Sequence, residues 1–126
     1  MKDGFEVFIL REDMKILIAE AFIDLLEKES IDKITVKQLI EECHISRQTF
    51  YYHFRDIMDV LEWAFRRSAL EAAEQSLRAE THLDALRVFV DFVKTHKNKL
   101  DRLLNSKNWI QIEGILVESV AMYLDK

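Results

Sequence analysis

Residues 35–54 read TVKQLIEECHISRQTFYYHF, and two short helical patterns meet within them across a brief break. Thr35 is placed to cap the first, because its hydroxyl can accept from the free amides of an opening helical turn. Val36, Leu39, Ile40 and Cys43 then recur at helical spacing and give that helix one apolar side. Ser46 is a second capping residue, and the helix it would open is too short to be stable alone. Packing must hold that helix, and Ile45, Phe50 and Phe54 are the residues available for it. Arg47, Gln48, Thr49, Tyr51, Tyr52 and His53 are left to face outward. Each can donate a hydrogen bond and none is acidic. A small donor-rich helix set on a second helix is the helix-turn-helix arrangement for entering a DNA major groove.

Working outward, the chain has 126 residues, enough for one domain or for a small module plus a helical body. Hydrophobic residues make up 49% and charged ones 33%, so a core can be buried while the surface stays hydrated. Proline is absent and glycine occurs only at Gly4 and Gly114. A chain with so few helix breakers is expected to be all-α. No apolar run reaches the ~18 residues of a membrane span, and no signal-peptide pattern opens the chain. One cysteine excludes an internal disulfide and fits a reducing cytoplasm, so a cytoplasmic location is expected.

The net charge of −5 looks wrong for a nucleic-acid binder until its distribution is read. Residues 33–67 hold six basic side chains (Lys33, Lys37, Arg47, Arg55, Arg66, Arg67) and five acidic ones, a net of +1. The rest of the chain therefore carries −6. Phosphate contacts depend on the local field and not on the total, so the asymmetry permits DNA binding.

Residues 1–10 form an N-terminal extension with Phe5, Val7, Phe8, Ile9 and Leu10, read as a packed arm, a helical extension or residues foreign to the natural protein. From 11 to 28, Met14, Leu17, Ile18, Ala21, Phe22, Leu25 and Leu26 follow the spacing of an amphipathic helix. A polar turn at 29–33 has Ile31 and Ile34 as buried anchors. Asp56 is placed to cap a long helix over about 57–79, with Ile57, Val60, Leu61, Ala64, Phe65, Ala69 and Ala72 as its face. A fifth helix over about 82–95 has the face Leu83, Leu86, Phe89, Val90 and Val93. Lys94, Lys97 and Lys99 read as a solvated turn before a short sixth helix marked by Leu100, Leu103 and Leu104. Trp109, Ile112, Leu116, Val120 and Tyr123 give a seventh. The expected organisation is an extension at 1–10, a DNA-binding domain at 11–56 and a helical regulatory or dimerisation body at 57–126.

The run ITVKQLIEECHISRQTFYYHFRDIMDVLEWAF, residues 34–65, resembles the N-terminal domain of the tetracycline-repressor (TetR/AcrR) family of bacterial transcription regulators. That family has a Thr-Val/Ile second helix, a tight turn and a Val-Ser-x-x-Thr-[Leu/Phe]-Tyr-x-His-Phe recognition helix. Thr35-Val36 and Leu39 match the former, and Ile45-Ser46, Thr49-Phe50-Tyr51, His53-Phe54 and Leu61 match the rest at unchanged spacing. The resemblance covers about residues 11–66. The fuller run Arg-Gln-Thr-Phe-Tyr-Tyr-His-Phe, with Leu61 and Trp63-Ala64-Phe65, is similar to a Firmicute-type branch that includes activators of dihydroxyacetone-kinase operons.

The resemblance implies an N-terminal three-helix DNA-binding domain followed by a short or truncated helical body. It places Arg47 and Gln48 at positions that read bases, where Arg pairs with guanine and Gln with adenine, each discriminating by roughly 1–3 kcal/mol. Lys37 stands where a second-helix side chain reaches a base edge or phosphate, and Thr49 where a thymine methyl or phosphate is touched. Tyr51 and His53 match phosphate-binding positions, and Tyr52 matches an aromatic lying along the sugar–phosphate edge. Thr35 matches the cap of a helix whose amides point at a phosphate. Three positions depart from the family: His44 replaces the glycine of the turn, Ile40 a small residue, and Ile57 a lysine, for which Arg55 would substitute. The partners implied are a near-palindromic double-stranded operator, a second copy of the chain in a homodimer, and a small-molecule effector if one exists.

Other readings of the same residues stand beside these. Tyr51 and Tyr52 also suit partly buried packing, and one of the two is expected to do mostly that. Cys43 reads as a small core residue, since no second cysteine or basic cluster activates it. His44, His82 and His96 show no metal-ligand spacing, so neither metal nor cofactor is expected. Trp63, Phe89, Phe92 and Trp109 would line an effector pocket, although aromatics at helical spacing are more often core. Gly114 fits close helix approach or a tolerated defect equally well. No phosphate loop, nucleophile elbow or metal-protease motif occurs, so no enzyme is expected. The rival to a DNA-binding regulator is a helical interaction module that keeps the fold and acts through protein contacts.

Overall fold

A computed structural model of the protein describes residues 4–124, and side chains over 10–121. Among the described residues the chain is helical: α1 (Gly4–Lys28), a 3-10 turn (Ile31–Lys33), α2 (Val36–Cys43), α3 (Arg47–His53), α4 (Ile57–Leu77), α5 (His82–Thr95), α6 (Lys97–Leu104) and α7 (Trp109–Leu124). The N-terminal extension from Gly4 onward is thus a continuation of α1, the helical one of its three readings. The side chains of Phe5, Val7, Phe8, Ile9 and Tyr123 lie outside the described residues. No described helix is long and apolar enough to cross a membrane.

Two compact units divide after Leu61, inside α4. In the first, α1 packs on both α2 and α3, and α2 packs on α3. Its core is Ile18, Ala19, Phe22 and Leu26 of α1, Ile31 and Ile34 of the turn, Leu39 and Cys43 of α2, Phe50 and Phe54 of α3, and Val60 and Leu61 of α4. Each large side chain buried this way contributes roughly 1.5–3 kcal/mol, and this holds a three-helix assembly whose short helices would not form alone. The buried stripe of α1 is centred on Ile18, Phe22 and Leu26, so Leu17 falls on its outer flank and is exposed.

Capping sets the ends of the short helices. The Thr35 hydroxyl accepts from the Gln38 amide at 3.2 Å, and the Gln38 side chain accepts from the Thr35 amide at 2.8 Å, a reciprocal capping box. Ser46 accepts from the Thr49 amide at 3.0 Å and opens α3. Between them His44 is left-handed, φ 54° and ψ 44°. Its N–H donates to the Glu41 carbonyl at 3.3 Å and the Ile45 N–H to the Ile40 carbonyl at 3.1 Å, the two bonds of a Schellman ending. Only the left-handed residue makes those bonds possible, and here it carries a β-carbon that glycine lacks. Asp56 caps α4, accepting from the Asp59 amide at 2.8 Å.

In the second unit, α6 packs on α7. Leu103 and Ile112 are buried, as are Ser106 and Ser119, the latter donating to the Ile115 carbonyl at 2.7 Å. One expectation is corrected here. Lys94, Lys97 and Lys99 do not form a turn: α5 runs to Thr95 and α6 starts at Lys97, with His96 alone as the joint. The His96 amide still bonds to the Phe92 carbonyl, and the Leu100 amide to the His96 carbonyl, so the backbone ladder barely breaks. The apolar face of α5 is not core: Leu83, Leu86, Phe89, Val90 and Val93 are all exposed, the first three by more than half. Leu104 of α6 and Val120 of α7 are exposed as well. Periodicity reports that a helix has an apolar side, not what covers it.

Candidate nucleic-acid interface

Successive residues of a helix turn by about 100°, so Arg47, Tyr51, Gln48 and Tyr52 follow one another around α3 over an arc of roughly 140°. All four are exposed. Phe50 and Phe54 occupy the other side, 0% and 3% exposed, with their rings 6.0 Å apart. These two anchors determine which way the arc points. Neither tyrosine is a packing residue: Tyr51 is 49% and Tyr52 63% exposed, contrary to the expectation that one of them would be. Tyr51 meets Phe50 edge-on at 5.2 Å, which steadies its ring without covering its hydroxyl. Thr49 and His53 lie on the flank, half-buried, and Ile45 is half-buried ahead of them. The Thr49 hydroxyl sits 2.9 Å from that of Ser46, so it takes part in the cap.

Flanking residues frame the arc. Lys37 is exposed on α2, next to the capped end at Thr35. Arg55 follows α3 and is well exposed, yet its guanidinium is 3.6 Å from Asp59, whose carboxylate also accepts from the Arg55 amide at 2.9 Å. That carboxylate offsets part of the charge Arg55 offers an anion.

Two α1 residues that the sequence reading did not single out complete the setting. The guanidinium carbon of Arg11 lies 5.2 Å from the Tyr52 ring centroid, and the Lys15 ammonium 5.7 Å from that of Phe54. His53 meets Tyr52 edge-on at 5.0 Å. Burial, and then the charges of Lys15 and Arg11, push the His53 imidazole below its ordinary value. It is therefore neutral at pH 7, with one nitrogen to donate and one to accept. A signal for the pair was present: Arg11 and Lys15 continue backward, at four- and three-residue steps, the stripe of Ile18, Phe22 and Leu26.

The expected effector residues belong to other helices: Trp63 to α4, Phe89 and Phe92 to α5, Trp109 to α7. Arg67 stacks its guanidinium 5.8 Å from the Trp63 ring, and Phe92 meets the His96 ring at 4.6 Å. Phe89 is 57% exposed. An open groove of about 320 Å³ lies instead in the first unit, lined by Leu25, Gln38, Glu41, Glu42 and His44. Cys43 is buried, with its thiol 3.8 Å from the Leu17 carbonyl. Burial first, and Glu42 second, push that thiol up, which fits a core residue.

Residues 18–62 match the family model described as bacterial regulatory proteins, tetR family. The likeness to the tetR family lies in this N-terminal domain. The matched residues take in the buried stripe of α1, both short helices and the start of α4, which is the first compact unit from Ile18 onward. Over 55 residues the chain is also 34% identical to the HTH-type dhaKLM operon transcriptional activator DhaS of Lactococcus lactis subsp. lactis (strain IL1403). That likeness takes in 44% of this chain and 29% of the relative. The tetR-type resemblance read from residues 34–65 is thereby shown for the domain that carries the arc on α3.

Proposed function

We propose that this tetR-family chain is a sequence-specific, DNA-binding transcription regulator that reads operator duplex DNA with α3. One observation carries the reading most directly: Arg47, Tyr51, Gln48 and Tyr52 form one continuous exposed arc on a helix anchored by Phe50 and Phe54. Every side chain on it donates a hydrogen bond and none is acidic, which suits a surface that must meet both base edges and phosphates. Arg47 and Gln48, in the first turn of α3, are the base readers, one matched to guanine and the other to adenine. Tyr51, Tyr52, His53 and Thr49 hold the backbone, with Thr35 and Lys37 from α2 and Arg55 beyond α3.

Two copies would place two such helices in successive major grooves of a near-palindromic site, roughly 34–36 Å apart for half-sites one turn apart. Pairing is supported by the α5 face, where five apolar side chains of one stripe stand exposed in the single chain. An effector, if one exists, would act on the body through Trp63, Phe89, Phe92 and Trp109 and shift the spacing of the two heads.

The same α5 face and the net charge of −5 favour a second reading, a helical module acting through protein contacts. Selection of bound sites from a random duplex pool, followed by titration at several salt concentrations, separates the two. A regulator enriches a site and loses affinity steeply with salt. No enrichment and no binding at low salt, or binding untouched by Arg47→Ala with Tyr51→Ala, would sink the DNA reading.

A further inference from the structure

The stripe of α1 that builds the core begins with two cations. Ile18, Phe22 and Leu26 are 0%, 1% and 3% exposed, and the residues three and seven positions before Ile18 on the same stripe are Lys15 and Arg11. A position on a core-facing stripe is where a charge is most costly to keep. Lys15 is half-buried there and Arg11 is exposed at the rim. Among the described residues no carboxylate pairs with either: the ion pairs found are Arg55–Asp59, Arg66–Glu62, Arg67–Glu71 and Arg87–Asp84. Their neighbours are instead the rings of Tyr52 and Phe54. Both cations act on His53, which they help keep neutral.

Position relative to the arc decides what such a pair can do. Tyr52 is the last member of the arc, on the side of Thr49 and His53, and Arg11 lies over it at 5.2 Å. A helix with its side chains is about 10–12 Å across, and the major groove is about 12 Å wide, so the phosphate rows pass just beyond the flanks of an inserted helix. A cation on that flank, in no ion pair among the described residues, stands where one row runs. Arg55, the exposed cation that follows α3, already has Asp59 at 3.6 Å.

We propose that Arg11 and Lys15 of α1 are backbone-phosphate contacts, extending the DNA-binding surface from α3 onto α1 along the edge marked by Tyr52 and His53. The inference rests on the DNA reading above. It assigns the pair affinity without sequence choice, because phosphate contacts carry no base information.

The test uses the whole chain and a duplex recovered from a random pool by the unaltered protein. Arg11→Met and Lys15→Met should each reduce the slope of log K against log salt by about 0.9, and together by about 1.8, at one phosphate apiece. The ratio of affinities for the selected duplex and a scrambled one should not change. Arg11→Lys keeps the charge and should keep the slope, which separates a phosphate contact from mere stacking on Tyr52. Lys28→Gln, at the far end of α1 and about 25 Å from Arg11, removes a charge away from the edge and should leave the slope alone. Unchanged slopes in the two methionine variants overturn the proposal and leave the DNA reading intact. So does an equal loss in Lys28→Gln, or a slope lost in Arg11→Lys. If the unaltered chain enriches no duplex, both readings fall together.

Discussion

Arg11 and Tyr52 lie forty-one positions apart in the chain, and the guanidinium carbon of one sits 5.2 Å from the ring centre of the other. The contact joins the first helix to the last exposed position of α3. With Tyr52 63% exposed, it is a surface cation–π pair contributing only about 0.5–1 kcal/mol. Tyr52→Ala should accordingly lower the stability of the chain by no more than about 1 kcal/mol in urea unfolding. Phe50→Ala, two residues earlier and fully buried, should cost about 3–5 kcal/mol. Equal costs for the two would show that Tyr52 is packed, not displayed.

His44 offers the clearest route to a stabler protein. Its left-handed backbone costs a residue with a β-carbon roughly 1–2 kcal/mol, while glycine adds about 0.5–1 kcal/mol of unfolded-state entropy. His44→Gly should therefore gain up to about 1 kcal/mol and raise the melting temperature by a few degrees. His44→Val, branched at that carbon, should lose at least as much. A valine variant as stable as the parent would mean the turn had opened into another geometry.

The pH dependence of stability follows from two histidines. Burial, then Lys15 and Arg11, lower His53; burial, then Lys99, lower His96. For both, the unfolded chain holds its proton at a higher pH than the folded one. Their contribution is complete above the unfolded value of about 6.5 and is lost as pH falls from there through the folded values. Unfolding midpoints should thus decline from pH 7 toward 5. His53→Gln with His96→Gln should flatten that decline, and a profile identical to the parent's would refute the assignment.

Gly114 sits in α7 with nothing within 4 Å of where a β-carbon would stand. In the single chain Gly114→Ala should stabilise by about 0.5–1 kcal/mol, since glycine in a helix interior is the poorer residue. If a second copy packs closely on α7 at that point, the substitution should instead weaken self-association. Sedimentation of the alanine variant beside the parent distinguishes the two outcomes.

The helices of the described residues were legible in the sequence where a local signature marks them. Caps at Thr35, Ser46 and Asp56, the anchors Ile31 and Ile34, and the spacing of the α1 stripe are all decided within a few residues. The reading failed where a local signal was the wrong kind of information. Three lysines at 94–99 read as a turn, yet a single residue, His96, is all that separates α5 from α6. A spaced apolar set on α5 marks a helix face, yet nothing in the periodicity states what lies opposite.

What the sequence by itself determined was the head: two short capped helices, the anchors Phe50 and Phe54, and a donor-rich set between them. Such a pattern is local, and helical geometry converts its spacing directly into faces. Only the tertiary structure decided which side chains share an edge. It showed that both tyrosines stand exposed, that Arg55 is met by Asp59, and that α1 delivers Arg11 and Lys15 beside Tyr52, Phe54 and His53. The last of these comes from the packing of α1 across α3: local spacing puts Arg11 and Lys15 on the α1 stripe, but which residues some forty positions away they meet is decided only by that packing.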